Sequence, residues 1–166
     1  MKLVLNELFF VDTNDARRGL EVLNSRQLNH LFGFIELEID AKTVNLIGAE
    51  GWGVPIQAFC SNLKRLRDWL SIPGSVKERK FTTHAIGGYV LRFRLSGESV
   101  TLTVRENGVP KAKEISESLT REAATEALRA FRHELRSRML KEAPTEAAEH
   151  FWKVAFAANI NEDPYS

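Results

Sequence analysis

The run Gly51-Trp52-Gly53-Val54-Pro55 separates a stretch that alternates apolar and acidic residues from one that repeats large apolar residues at helical spacing. The chain must change element there, because glycines favour a turn and a proline gives no N–H to a strand ladder. Upstream, from Phe34, the residues Ile35, Leu37 and Ile39 alternate with Glu36, Glu38 and Asp40. That is the period of a half-buried strand with one apolar and one acidic face. Ala41-Lys42 offers a tight connection to a second strand over residues 43–48, predicting a hairpin. Downstream, Phe59, Leu63, Leu66 and Leu70 fall on one helical face, with Lys64, Arg65, Arg67 and Asp68 on the others. Ile72-Pro73-Gly74 ends that helix. An apolar strand face and an apolar helix stripe so close in the chain predict sheet covered by helix.

The flanking regions extend the pattern. Leu3, Leu5 and Leu8-Phe9-Phe10-Val11 suit a first strand, the turn chemistry of Asp12-Thr13-Asn14-Asp15 follows, and residues 16–23 read as a short helix. Residues 76–84, 89–95 and 100–105 read as strands, the last two joined by the loop Ser96-Gly97-Glu98-Ser99. Thr120 caps a long helix over residues 121–141 with Leu128, Phe131, Leu135 and Met139 as its stripe. Pro144 suits the first turn of a last helix that buries Ala148, Phe151, Trp152 and Ala155, and residues from about 159 read as a polar tail. Strands first and helices last predict one α+β domain over residues 1–166: an antiparallel, meandering sheet packed against amphipathic helices.

Chemistry is harder to find. The net charge is +1, so no bulk field draws the chain to nucleic acid or membrane. Cys60 is the only cysteine, which excludes an internal disulfide and suits a reducing compartment. The N-terminal apolar run is broken by Asn6 and Glu7, too early for a secretory leader, and no stretch approaches the roughly 20 apolar residues of a membrane span. A cytoplasmic protein is expected. His30, His84, His133 and His150 lack ligand spacing, and the glycines at 48, 51, 53, 87 and 88 match neither a dinucleotide fingerprint nor a phosphate loop. Cys60 falls in the first turn of its helix, where the dipole favours a thiolate, but its mostly apolar face points to a core residue. No catalytic residue, metal site or cofactor is assigned.

Two charge patterns remain. Glu36, Glu38 and Asp40, with Glu50 close in sequence, repel one another unless cations face them. Arg92 and Arg94, or Lys77 and Arg79, can supply those cations from other strands of the same sheet. Left unpaired, the carboxylates would form a docking surface for a basic partner. Arg129, Arg132 and Arg136 follow one side of the long helix, a solvated face or an anion-binding one. Trp52, in its glycine-rich turn, either closes the core beneath the helix or stands out as an interface anchor.

The small size, the strand-rich middle with an inserted amphipathic helix and the Trp52-Gly53-Val54-Pro55-Ile56 approach to that helix resemble the bacterial immunity proteins of contact-dependent inhibition and related polymorphic toxin systems. The likeness covers roughly residues 34–152, in type rather than in a diagnostic motif. It implies a non-enzymatic protein that binds and neutralises a cognate toxin domain by occluding its active site or an essential surface. Glu36, Glu38, Asp40 and Glu50 are then the candidate contacts and Trp52 the anchor. The alternative is a small bacterial or phage regulatory module that contacts nucleic acid through the helix arginines.

Overall fold

The computed structural model describes residues 1–46, 53–72, 78–83, 86 and 88–163, and in them the chain forms two antiparallel sheets and three α-helices. The fold is α+β, with helix dominating the C-terminal third, as the order of the patterns predicts. The strands divide between two sheets, where the sequence pattern led us to expect one.

The first sheet contains β1 (Lys2–Val11), β2 (Arg17–Arg18), β3 (Leu31–Ile39), β4 (Lys42–Leu46) and β5 (Val54–Pro55). In β1, Leu3 and Leu5 enter the core at odd positions and Leu8 and Phe10 at even ones. The parity changes because the register with β3 shifts between Leu5 and Glu7, a bulge at Asn6. Phe9 consequently lands on the opposite face of the sheet.

Residues 16–23 do not form the expected helix. Arg17–Arg18 pairs with the end of β1, and only Leu20–Val22 makes a 3-10 turn. Asp12 is the reason. Its Oδ1 accepts from the backbone N–H of Asn14 at 2.9 Å and of Ala16 at 3.0 Å, while Oδ2 accepts from Arg18 Nε at 2.8 Å. That closes a hairpin turn before a helix can start. The Arg18 bond first, then the Ala16 and Asn14 N–H groups, hold the Asp12 carboxyl below its ordinary pKa.

The expected hairpin of β3 and β4 forms, with Asp40 and Ala41 as a two-residue turn at φ 49° and 56°. Asp40 therefore sits in the turn and not on the acidic strand face assigned to it. Val54 and Pro55, expected in a turn, instead pair with Gly33 and Phe32 on the edge of β3 that β4 occupies further along. The approach is close enough that a Cβ on Gly53 would lie 2.7 Å from the Gly33 carbonyl oxygen. Helix α1 (Ile56–Ser71) starts immediately after Pro55.

The second sheet is a simple meander of β6 (Arg79–Thr82), β7 (Tyr89–Ser96), β8 (Ser99–Glu106) and β9 (Ile115–Thr120). Helix α2 (Arg121–Glu142) opens on the expected cap, Thr120 Oγ1 accepting from Ala123 N–H at 3.0 Å. It packs on β1 in the first sheet and on β8 and β9 in the second, joining the two. Helix α3 (Thr145–Phe156) and α2 pack against α1, which itself lies on β3. Phe59, Leu63, Leu66 and Leu70 of α1 share one continuous core with Leu91, Phe93 and Leu102, and Phe59 meets Phe131 edge-on at 5.2 Å between ring centroids.

The segment expected to be a polar tail is docked over its described residues, 159–163. Ala157 adopts a left-handed conformation at φ 53°, the chain turns back along α2, and Ile160 and Asp163 are buried.

Candidate functional site

The core covers only one face of the first sheet. Along β3, Leu31, Gly33, Ile35, Leu37 and Ile39 are buried, while Phe32, Phe34, Glu36 and Glu38 between them are partly exposed. Those outward residues divide the face in two. At one end Phe9, opposite Phe32 in the register, lies 6.2 Å from it and 5.3 Å from Phe34 between ring centroids. Arg17, brought up by β2, places its guanidinium 4.8 Å from the centroids of both Phe9 and Phe34. The bulge at Asn6 puts Phe9 there, so a distortion in β1 builds the aromatic half of the face.

Toward the other end the face becomes acidic. Glu7 stands opposite Phe34, and Glu36 stands between Val4 on β1 and Asn45 on β4. Asn6, Glu7, Phe34, Glu36 and Asn45 line an open depression. Among the described residues, neither Glu7 nor Glu36 has a cation within ion-pair distance. Glu38 meets Lys2 Nζ at 3.2 Å, and Asp40 meets Lys42 Nζ at 3.8 Å, both on exposed side chains where such pairs contribute little.

The described cations expected to neutralise this strand face do not reach it. Arg79, Arg92 and Arg94 belong to the second sheet, where Arg92 pairs with Glu114 at 3.5 Å and Arg94 with Glu78 at 3.8 Å. Lys77, Glu50 and Trp52 lie outside the described residues. Of the assigned contacts, then, Glu36 and Glu38 share a face, and Asp40 sits at the adjoining turn. The residues that sequence reasoning missed are Glu7, Phe9, Phe34 and Arg17. The signal for Glu7 and Phe9 was the break in β1 alternation at Asn6-Glu7, which marks a bulge and a change of face.

The arginines of α2 have other work. Arg132 is buried and donates from Nε to Asp163 Oδ2 at 2.8 Å, with its Nη2 on the same oxygen. Arg136 donates to the carbonyl of Ile160 at 2.5 Å and of Asn161 at 3.1 Å. Arg129 remains at the surface, paired with Glu126 at 2.8 Å. Cys60 is wholly buried, and burial pushes its thiol pKa far up, away from a reactive thiolate. Among the described residues no His, Cys, Asp and Glu side chains gather in a metal-binding group, and no helix is long and apolar enough to cross a membrane. The chain matches no family model, no curated protein and no solved structure.

Proposed function

We propose that the protein is an immunity-type inhibitor, a cytoplasmic binding protein that docks a cognate, basic toxin domain on the outer face of its first sheet and acts by occlusion, without catalysis. The observation that carries this is the grouping of partly exposed Phe34 with Glu7 and Glu36, two carboxylates that have no cation of their own among the described residues. Aromatic side chains supply the desolvated centre of a protein interface, and unmatched charge steers a partner of opposite sign. From Phe32 to Glu38 the strip extends about 20 Å at the rise of an antiparallel strand, a scale suited to a standard interface. Asp40 extends the proposed contact from the β3–β4 turn, and Glu50 and Trp52 remain proposed contacts from the sequence pattern. No comparable observation favours nucleic acid, since Arg132 and Arg136 hold the C-terminal segment.

The test is a titration against the toxin domain encoded beside this chain, at two salt concentrations. Glu36→Lys and Glu7→Lys should each slow association and weaken binding about tenfold at low salt, with the loss shrinking at high salt. Phe34→Ala should weaken binding at both, by roughly 1–2 kcal/mol or more if it anchors the interface. Tight binding that none of these variants perturbs would move the site elsewhere. An absence of binding would remove the function.

A further inference from the structure

A second site lies away from the outer face, between α1 and α2, and it stands whether or not the docking face does. Leu63 from α1, Leu128 from α2 and Phe156 from α3 form the floor of a cleft of about 230 Å³. Lys64, Arg67 and Arg129 stand around that floor, and among the described residues no acidic side chain lines it. Arg132 closes the inner end, with its guanidinium 4.1 Å from the centroid of the Phe156 ring. The hydroxyls at the rim are engaged within their own helices, Ser71 donating to the Arg67 carbonyl at 2.9 Å and Thr125 to the Arg121 carbonyl at 2.9 Å.

The charges around the cleft do not balance. Arg67 meets Asp68 at 2.8 Å, Arg129 meets Glu126 at 2.8 Å, and buried Arg132 pairs with Asp163. Among the described residues, Lys64 alone of the four has no carboxylate within ion-pair distance. One unmatched positive charge above an apolar floor selects a ligand with one negative charge and an apolar tail. The volume lies below the roughly 300 Å³ at which sites for drug-sized molecules begin, so the ligand is small. The Lys64 ammonium, a compact point charge with three donors, suits a carboxylate head.

We propose that the α1–α2 cleft binds a small monocarboxylate with a short aliphatic tail, its head at Lys64 and its tail on Leu63, Leu128 and Phe156. Octanoate is the probe, with acetate as the head alone and octan-1-ol as the tail alone. Amide resonances of the ¹⁵N-labelled full chain report where each one binds. Octanoate should shift resonances clustered on Leu63, Lys64, Arg67, Thr125, Leu128, Arg129 and Phe156. It should bind at least about tenfold more tightly than either fragment, since each buried methylene and the head charge both contribute. Lys64→Glu should lose most of the octanoate affinity and little of the octan-1-ol affinity. Thr125→Tyr, which fills the mouth from a half-buried position on α2, should block both. Far-UV circular dichroism confirms that each variant is folded. Equal binding of octanoate and acetate, equal binding of octanoate and octan-1-ol, octanoate affinity unchanged in Lys64→Glu, or shifts that map elsewhere would each overturn the proposal.

Discussion

Cys60 shows how little a single reactive residue type says until its surroundings are known. It lies in the first turns of α1, where a helix dipole favours a thiolate, yet it is wholly buried in the core. Desolvation dominates its pKa and raises it, with Arg132 pulling the other way. Cys60→Ser should therefore fold and bind as the parent does, at a cost of about 1–3 kcal/mol for a hydroxyl placed among apolar atoms. Urea unfolding measures the cost and the toxin titration measures the binding. A folded variant that loses function would give the thiol a chemical role. The core character of Cys60 was legible because it follows Phe59 on a helix whose leucines mark the buried face. The burial of Arg132 was not. Nothing local distinguishes it from Arg129, and its partner Asp163 lies 31 residues away along the chain.

Elements were legible where one period ran without interruption, and obscure where a bulge, a turn or a polar inward residue broke it. β3, β7, β8, α1 and α2 formed where their patterns placed them, to within a few residues. β9 escaped notice because Glu117 sits between Ile115 and Leu119 on its more buried face, which breaks the apolar alternation. The β3–β4 turn shows a local preference overridden by the sheet. Ala41 holds φ 56°, a left-handed conformation that costs an L-residue with a Cβ roughly 1–2 kcal/mol. The hairpin imposes it, since both central residues of this turn need positive φ to follow the strand twist. Ala41→Gly removes the clash but adds about 1 kcal/mol of unfolded-chain entropy to the cost of folding, so the net gain should be at most about 1 kcal/mol. A higher urea midpoint with unchanged slope is the expected result. A lower midpoint would mean that the turn is relaxed in solution.

At the scale of the whole molecule, the C-terminal segment decides whether the helical layer is complete. A tail so rich in Asn, Glu and Asp reads as solvated, but Ile160 is 0% exposed and Asp163 only 7%. Asp163 Oδ2 accepts from Arg132 and also from Trp152 Nε1 at 2.5 Å, so one carboxylate serves two buried donors on different helices. Arg136 adds its bonds to the Ile160 and Asn161 carbonyls. The ionic contact alone is weak grounds for stability, because removing two charges from water offsets most of their attraction. Losing one partner is different, since the other charge stays buried and unmatched. Deleting residues 159–166 should therefore destabilise the protein by at least about 3–5 kcal/mol, and Asp163→Ala by an amount in the same range. Arg132→Met combined with Asp163→Leu should recover much of that loss, because it removes both charges and retains apolar volume. Urea unfolding followed by both near-UV and far-UV circular dichroism makes the comparison. If the segment were a dispensable polar tail, the deletion would unfold at the parent's midpoint. If packing of Ile160 alone held it, Asp163→Ala would cost little and the double variant would bring no recovery.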